Sequence, residues 1–201
     1  MLLNNDRSNR QSDPGSVARR TRMVATLAVM TAVSVILLVL GTLISINTVF
    51  FTALASFLVG IMVVRYNIGA GLMLFLGSGV LDLILNPDKL HVLLYVAMGG
   101  FILMAEGSYK FLEKRIPEVR LRNLIHLVIR VVVFFIAYMP IAIFLPRLLL
   151  TKEAWEKIAG AEWLMWALPG VGVVAFVLFD LAYIFVKKTY LHLFLGGSRF
   201  K

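Results

Sequence analysis

From residue 23 to residue 186 the chain is a succession of apolar stretches, each about 20 residues long, the length that carries an α-helix across the hydrocarbon core of a bilayer. They cover residues 23–46, 49–64, 68–85, 90–109, 124–145 and 163–186. The breaks are polar or turn-forming: Asn47 and Thr48, then Arg65, Tyr66 and Asn67, then Asn86-Pro87-Asp88-Lys89. The charged segment 110–122 and the outer loop 147–162 after Pro146 complete the series. Lipid offers no partner for backbone N–H and C=O groups, so such stretches are expected to be helical. The expected fold is an all-α integral membrane protein, a bundle of six transmembrane helices. Composition agrees, because 60% of the residues are hydrophobic and only 15% charged, leaving too little polar surface to coat a soluble globule.

The basic residues set the expected orientation. Arg7, Arg10, Arg19, Arg20 and Arg22 precede the first stretch, and Arg65 follows the second. Lys110, Lys114, Arg115, Arg120 and Arg122 lie between the fourth and fifth, and Lys187, Lys188, Arg199 and Lys201 follow the sixth. The alternate connections hold only Lys89, Arg147, Lys152 and Lys157. By the positive-inside rule both termini are cytoplasmic. The chain thus divides into a disordered basic cytoplasmic tail at 1–22, a six-helix transmembrane domain at 23–188 and a cytoplasmic tail at 189–201. The net charge of +9 is read as a topology determinant, not as a nucleic-acid footprint.

Several chemistries are disfavoured. With no cysteine, disulfides, thiolate metal sites and Cys nucleophiles are excluded. No H-E-x-x-H, G-x-S-x-G or P-loop motif occurs. Neither an enzyme nor a cofactor or metal site is expected, and the chain lacks the means to hydrolyse ATP by itself.

Three groups of residues stand out. In the first stretch Ala28 and Ala32 lie one turn apart, with Ala25 nearby, a small-residue strip suited either to internal packing or to docking another membrane subunit. Glu106, Arg130 and Asp180 are ionisable groups at similar depth in the inner half of stretches four, five and six. Arg130 and Asp180 are expected to pair, with Glu106 placed to join them and His126 one turn from Arg130. Such a buried ionic layer serves either as a structural clamp or as a proton relay. Towards the outer side lie Asp82, Asn47, His91 and Tyr95, with Trp163 and Trp166 at the start of the sixth stretch and Pro140 and Pro169 as helix irregularities. These are the materials of interfacial anchoring and equally of a substrate-binding pocket.

The strip from Ala28 to Ala32, the Gly-rich segment 59–85, and Phe179-Asp180-Leu181 followed by Lys187-Lys188 give the chain a family likeness. From about Arg20 to Lys188 it resembles the substrate-binding S components of energy-coupling-factor (ECF) transporters, which share its size, six spans and inner termini. That resemblance implies a high-affinity binder of a vitamin or similar micronutrient in a bacterial cytoplasmic membrane. It further implies an outward-facing ligand pocket in the outer halves of spans four to six. The partners it implies are a transmembrane T component, contacted through the alanine strip, and paired ATPase subunits. A membrane scaffold or assembly protein without a small-molecule ligand, and an ion-coupled carrier using Glu106, Arg130 and Asp180, remain open beside it.

Overall fold

The computed structural model describes residues 14–44, 48–86, 89–144 and 162–195. Six α-helices make up the regular structure among these residues: α1 (Pro14–Leu43), α2 (Thr48–Arg65), α3 (Ile68–Leu85), α4 (Lys89–Arg115), α5 (Val119–Phe144) and α6 (Glu162–Leu195). Four of them, α1 to α4, are long and apolar enough to cross a membrane, as in a multi-pass membrane protein. The shortest two, α2 and α3, have 18 residues each, so at 1.5 Å per residue they run roughly 27 Å, close to the thickness of the hydrocarbon core.

The helices stop where the sequence supplies a reason. Asn67 is extended and accepts a hydrogen bond from the Ala70 amide through Oδ1 at 2.8 Å, capping the N-terminus of α3. At the other end, Asn86 takes extended backbone angles and its amide closes the last turn onto the Asp82 carbonyl. Pro117 follows α4 closely and cannot donate to a continuing helix.

Four helices run further than the apolar stretches suggest, α5 among them, since it begins at Val119 and takes in Arg120 and Arg122 ahead of residue 124. Arg19, Arg20 and Arg22 belong to α1, which begins at Pro14 and not after residue 22. Lys110, Lys114 and Arg115 are the last turns of α4, and α6 continues through Lys187 and Lys188 to Leu195. The tail boundaries at 22 and 189 therefore fall inside helices. Hydropathy marks what lipid tolerates, whereas Lys, Arg, Glu and Leu remain good helix formers beyond it. Both α5 and α6 stay helical through Pro140 and Pro169.

Helix α2 is central, packing on α1, α3, α4 and α6, while α5 lies against α4 and α6. One core joins Leu38 of α1, Ala55, Val59 and Met62 of α2, Ala70 and Leu74 of α3, and Tyr95 of α4. A second joins Phe57, Phe101, Ile102, Ala105 and Tyr183, with Phe134, Phe176 and Phe179 around them. Rings of Phe134 and Phe176 stack with centroids 3.9 Å apart, fixing α5 against α6.

Polarity is inverted relative to a water-soluble protein. Ser34, Thr52, Ser56, Ser78, Asp82, Asn86, His91, Glu106 and Arg130 are buried. Ile36, Phe50, Met73, Ile84, Met104, Leu127, Ile136, Val174, Leu178 and Phe185 are exposed. In water this arrangement would forfeit the hydrophobic drive and leave large contiguous apolar patches. In lipid it is the expected order, because polar groups gain by meeting one another inside.

Candidate functional site

Two polar clusters occupy opposite ends of the bundle. The first is built from helical repeats of four. Ser78, Asp82 and Asn86 share one face of α3, His91 and Tyr95 one face of α4, and Thr52 and Ser56 one face of α2. These faces meet. Asp82 and Tyr95 are fully buried, and His91 and Asn86 almost so. Asn86 Nδ2 donates to Asp82 Oδ1 at 2.5 Å and lies 3.4 Å from His91 Nδ1. His91 Nδ1 faces Asp82 Oδ2 at 3.5 Å, and its Nε2 lies 3.0 Å from Thr52 Oγ1. One turn further in, Ser78 gives its proton to the Leu74 carbonyl at 2.7 Å, so at 2.6 Å Tyr95 donates to Ser78 Oγ.

Gly41 of α1 makes room for this cluster. A Cβ there would lie 3.3 Å from His91 Nε2 and 3.1 Å from Phe51 Cβ. The same turn is tied down by Thr48, whose hydroxyl donates to the Gly41 carbonyl at 2.9 Å.

The second cluster lies where α4, α5 and α6 meet. Asp180, Tyr183 and Lys187 fall on one face of α6. Asp180 forms an ion pair with Arg130 of α5. Lys187 Nζ holds both oxygens of Glu106 at 2.7 and 2.8 Å, and Tyr183 donates to Glu106 Oε1 at 2.9 Å. Among the described residues Glu106 makes no ion pair with Arg130 or Asp180. Its carboxylate faces Lys187, which holds both oxygens. His126, one turn from Arg130, donates through Nε2 to the Ala105 carbonyl at 2.9 Å, and its ring meets Tyr109 edge-on at 5.1 Å. Arg122 and Lys187 both stand over the Tyr109 ring, at 5.2 and 5.4 Å.

The basic residues gather at this same end. Tyr66 at the close of α2 donates to Thr26 near the start of α1 at 3.1 Å, and Arg65 donates to Tyr190 of α6 at 3.0 Å. Lys110 of α4 donates to the Val63 carbonyl of α2. Helices α1 and α2 thus run in opposite directions, and α2, α4 and α6 bring their C-terminal ends together.

Of the residues expected to bind substrate, Asp82, His91 and Tyr95 come together. Asn47 lies outside the described residues, and so do the side chains of Trp163 and Trp166, whose backbone opens α6. Ala25, Ala28 and Ala32 lie on an exposed face of α1, opposite Ser34, Leu38 and Gly41, which are buried in the bundle. Sequence reasoning missed Thr52, Ser78, Tyr183 and Lys187. The repeats Ser78/Asp82 and Tyr183/Lys187 at four-residue spacing were the available signal. Among the described residues no group of three His, Asp or Glu side chains is placed to hold a metal ion. No family model, curated protein or solved structure matches the chain.

Proposed function

We propose that this chain crosses a bacterial cytoplasmic membrane six times with both termini inside, and serves as the substrate-specificity subunit of a multi-component importer. In this reading it takes a vitamin or similar micronutrient at the outer end and docks to a transmembrane T subunit, whose partner ATPases supply the energy. One observation carries the docking half. Helix α1 buries Ser34, Leu38 and Gly41 yet leaves Ala25, Ala28 and Ala32 on an open face. Small residues let another helix approach closely where no hydrophobic force drives association. Asp82, His91 and Tyr95, at the far end from the basic residues, supply the polar groups that orient a ligand.

The test is co-purification from the native membrane. Ala28→Trp or Ala32→Trp should abolish recovery of a T subunit while a small molecule still co-purifies and is seen by mass spectrometry. Normal complex formation by both variants would remove the docking assignment. A chain that never carries a ligand, and shows no thermal shift with a vitamin panel, would remove the binding assignment.

The paired ionic groups Glu106, Lys187, Arg130 and Asp180, of which Glu106 and Arg130 are buried, favour a second reading, an ion-coupled carrier. Uptake driven by a pH gradient into liposomes containing this chain alone would select it over the first.

A further inference from the structure

The basic end of the bundle holds two guanidinium groups that are held in place without being neutralised. Arg65, the last residue of α2, donates through Nη1 to the Tyr190 hydroxyl of α6 at 3.0 Å and stands over the Tyr66 ring at 5.4 Å. Arg122 of α5 stands over the Tyr109 ring of α4 at 5.2 Å, and its Nη2 reaches the Tyr109 hydroxyl at 3.4 Å. Its Nε is buried and has no hydrogen-bond partner among the described residues. A phenol hydroxyl and a ring face fix where a guanidinium sits, yet neither carries the negative charge that would offset it.

The two arginines belong to one row of cations. Lys187 shares the Tyr109 ring with Arg122, at 5.4 Å, and lies three residues before Tyr190 on the same side of α6. Lys110, next to Tyr109, donates to the Val63 carbonyl two residues before Arg65. Lys187 is matched by Glu106, and Lys110 serves the C-terminal end of α2, where a cation is favoured. Arg65 and Arg122 have neither kind of partner: among the described residues they form no ion pair with a carboxylate and no hydrogen bond to a backbone carbonyl. Deeper in the bundle, by contrast, Arg130 is matched by Asp180. Exposed apolar side chains continue from this edge, with Leu121, Leu124 and Leu127 on α5 and Leu181 and Phe185 on α6. A guanidinium offers a phosphate a planar fork of N–H donors. A free phosphate would use the cations alone, whereas a lipid uses the cations and the apolar side chains together.

We infer that Arg65 and Arg122 form a binding site for anionic phospholipid, each presenting its remaining N–H groups to a headgroup phosphate while the acyl chains lie on the exposed apolar side chains of α5 and α6. The inference rests on this edge meeting a membrane surface, as in the proposed topology, and not on the importer reading.

The full chain, purified in an uncharged detergent, is titrated with phosphatidylglycerol, with phosphatidylcholine of the same acyl chains, and with inorganic phosphate. Native mass spectrometry counts the lipid retained, and the melting temperature is followed alongside. The expected result is retention and a raised melting temperature with phosphatidylglycerol alone. Arg65→Gln combined with Arg122→Gln should weaken that binding about thirtyfold, the usual strength of two basic side chains at an anionic surface. Lys89→Gln, at the opposite end of α4, should leave it unchanged. Equal retention of phosphatidylcholine overturns the site, and so does the same stabilisation by inorganic phosphate. Undiminished lipid binding by the double variant also overturns it, and if that variant loses a co-purifying protein instead, the edge belongs to a protein partner. Should the double variant fail to fold, the unsubstituted chain is cross-linked to phosphatidylglycerol carrying a photoreactive headgroup. Cross-links on the peptides holding Arg65 and Arg122 support the site; cross-links confined to other peptides overturn it. Sidedness does not enter a detergent titration, so failure here leaves the proposed topology standing, and labelling from one side of the membrane tests that separately.

Discussion

Tyr183 of α6 reaches Glu106 of α4 at 2.9 Å by crossing the face of α2 at Gly60. A Cβ at Gly60 would collide with the Tyr183 ring and hydroxyl, so the glycine sets how closely α6 approaches the bundle. Gly60→Val should therefore push α6 away and cost about 1–3 kcal/mol, the usual penalty for overpacking a tight contact. Gly170, with nothing within 4 Å of its Cβ position, is the control. Gly170→Ala should leave the melting temperature in detergent unchanged or slightly raised, while Gly60→Val lowers it.

The Arg130–Asp180 pair joins α5 to α6, and its side chains are 10% and 17% exposed. Removing one partner leaves the other charge stranded. Asp180→Asn should destabilise by about 3–5 kcal/mol, and the swap Arg130→Asp with Asp180→Arg should recover much of that loss. Thermal melts of the single and double variants provide the check. An unchanged melt for Asp180→Asn would mean that the pair does not hold the two helices together.

The Glu106–Lys187 pair is asymmetric, and the asymmetry is measurable. The Glu106 side chain is 5% exposed and that of Lys187 26% exposed. Lys187→Met strands a buried carboxylate for which, among the described residues, only the Tyr183 hydroxyl remains a donor. Glu106→Gln still accepts from Tyr183, and the lysine, near the end of α6, can extend towards the interface. Lys187→Met should therefore lower the melting temperature more than Glu106→Gln does.

How far the sequence already contained this picture differs from element to element. Helix α3 covers residues 68–85, the same as its apolar stretch, because Asn67 and Asn86 cap it at the points where the hydropathy changes. Helices α1, α4, α5 and α6 outrun theirs, since basic residues end a membrane span without ending a helix. Asp82 and Arg130 drew attention as ionisable groups in apolar surroundings. Thr52 and Ser78 did not, because a hydroxyl bonded to the carbonyl four residues back is an ordinary feature of apolar helices. Only the packing of α2 and α3 against α4 turns those hydroxyls towards His91 and Tyr95. Lys187 read as a loop charge, and nothing local announces that Glu106, 81 positions away, is its partner.

The proposed six-span bundle with its basic end in the cytoplasm is directly testable, because the chain has no cysteine. Single cysteines introduced as Asp88→Cys, Glu118→Cys and Lys152→Cys are probed with a membrane-impermeant maleimide on whole cells. The account predicts labelling at 88 and 152 in intact cells, and labelling at 118 only after the membrane is opened. Labelling of Glu118→Cys from outside, or of 88 and 152 from opposite sides, would contradict it.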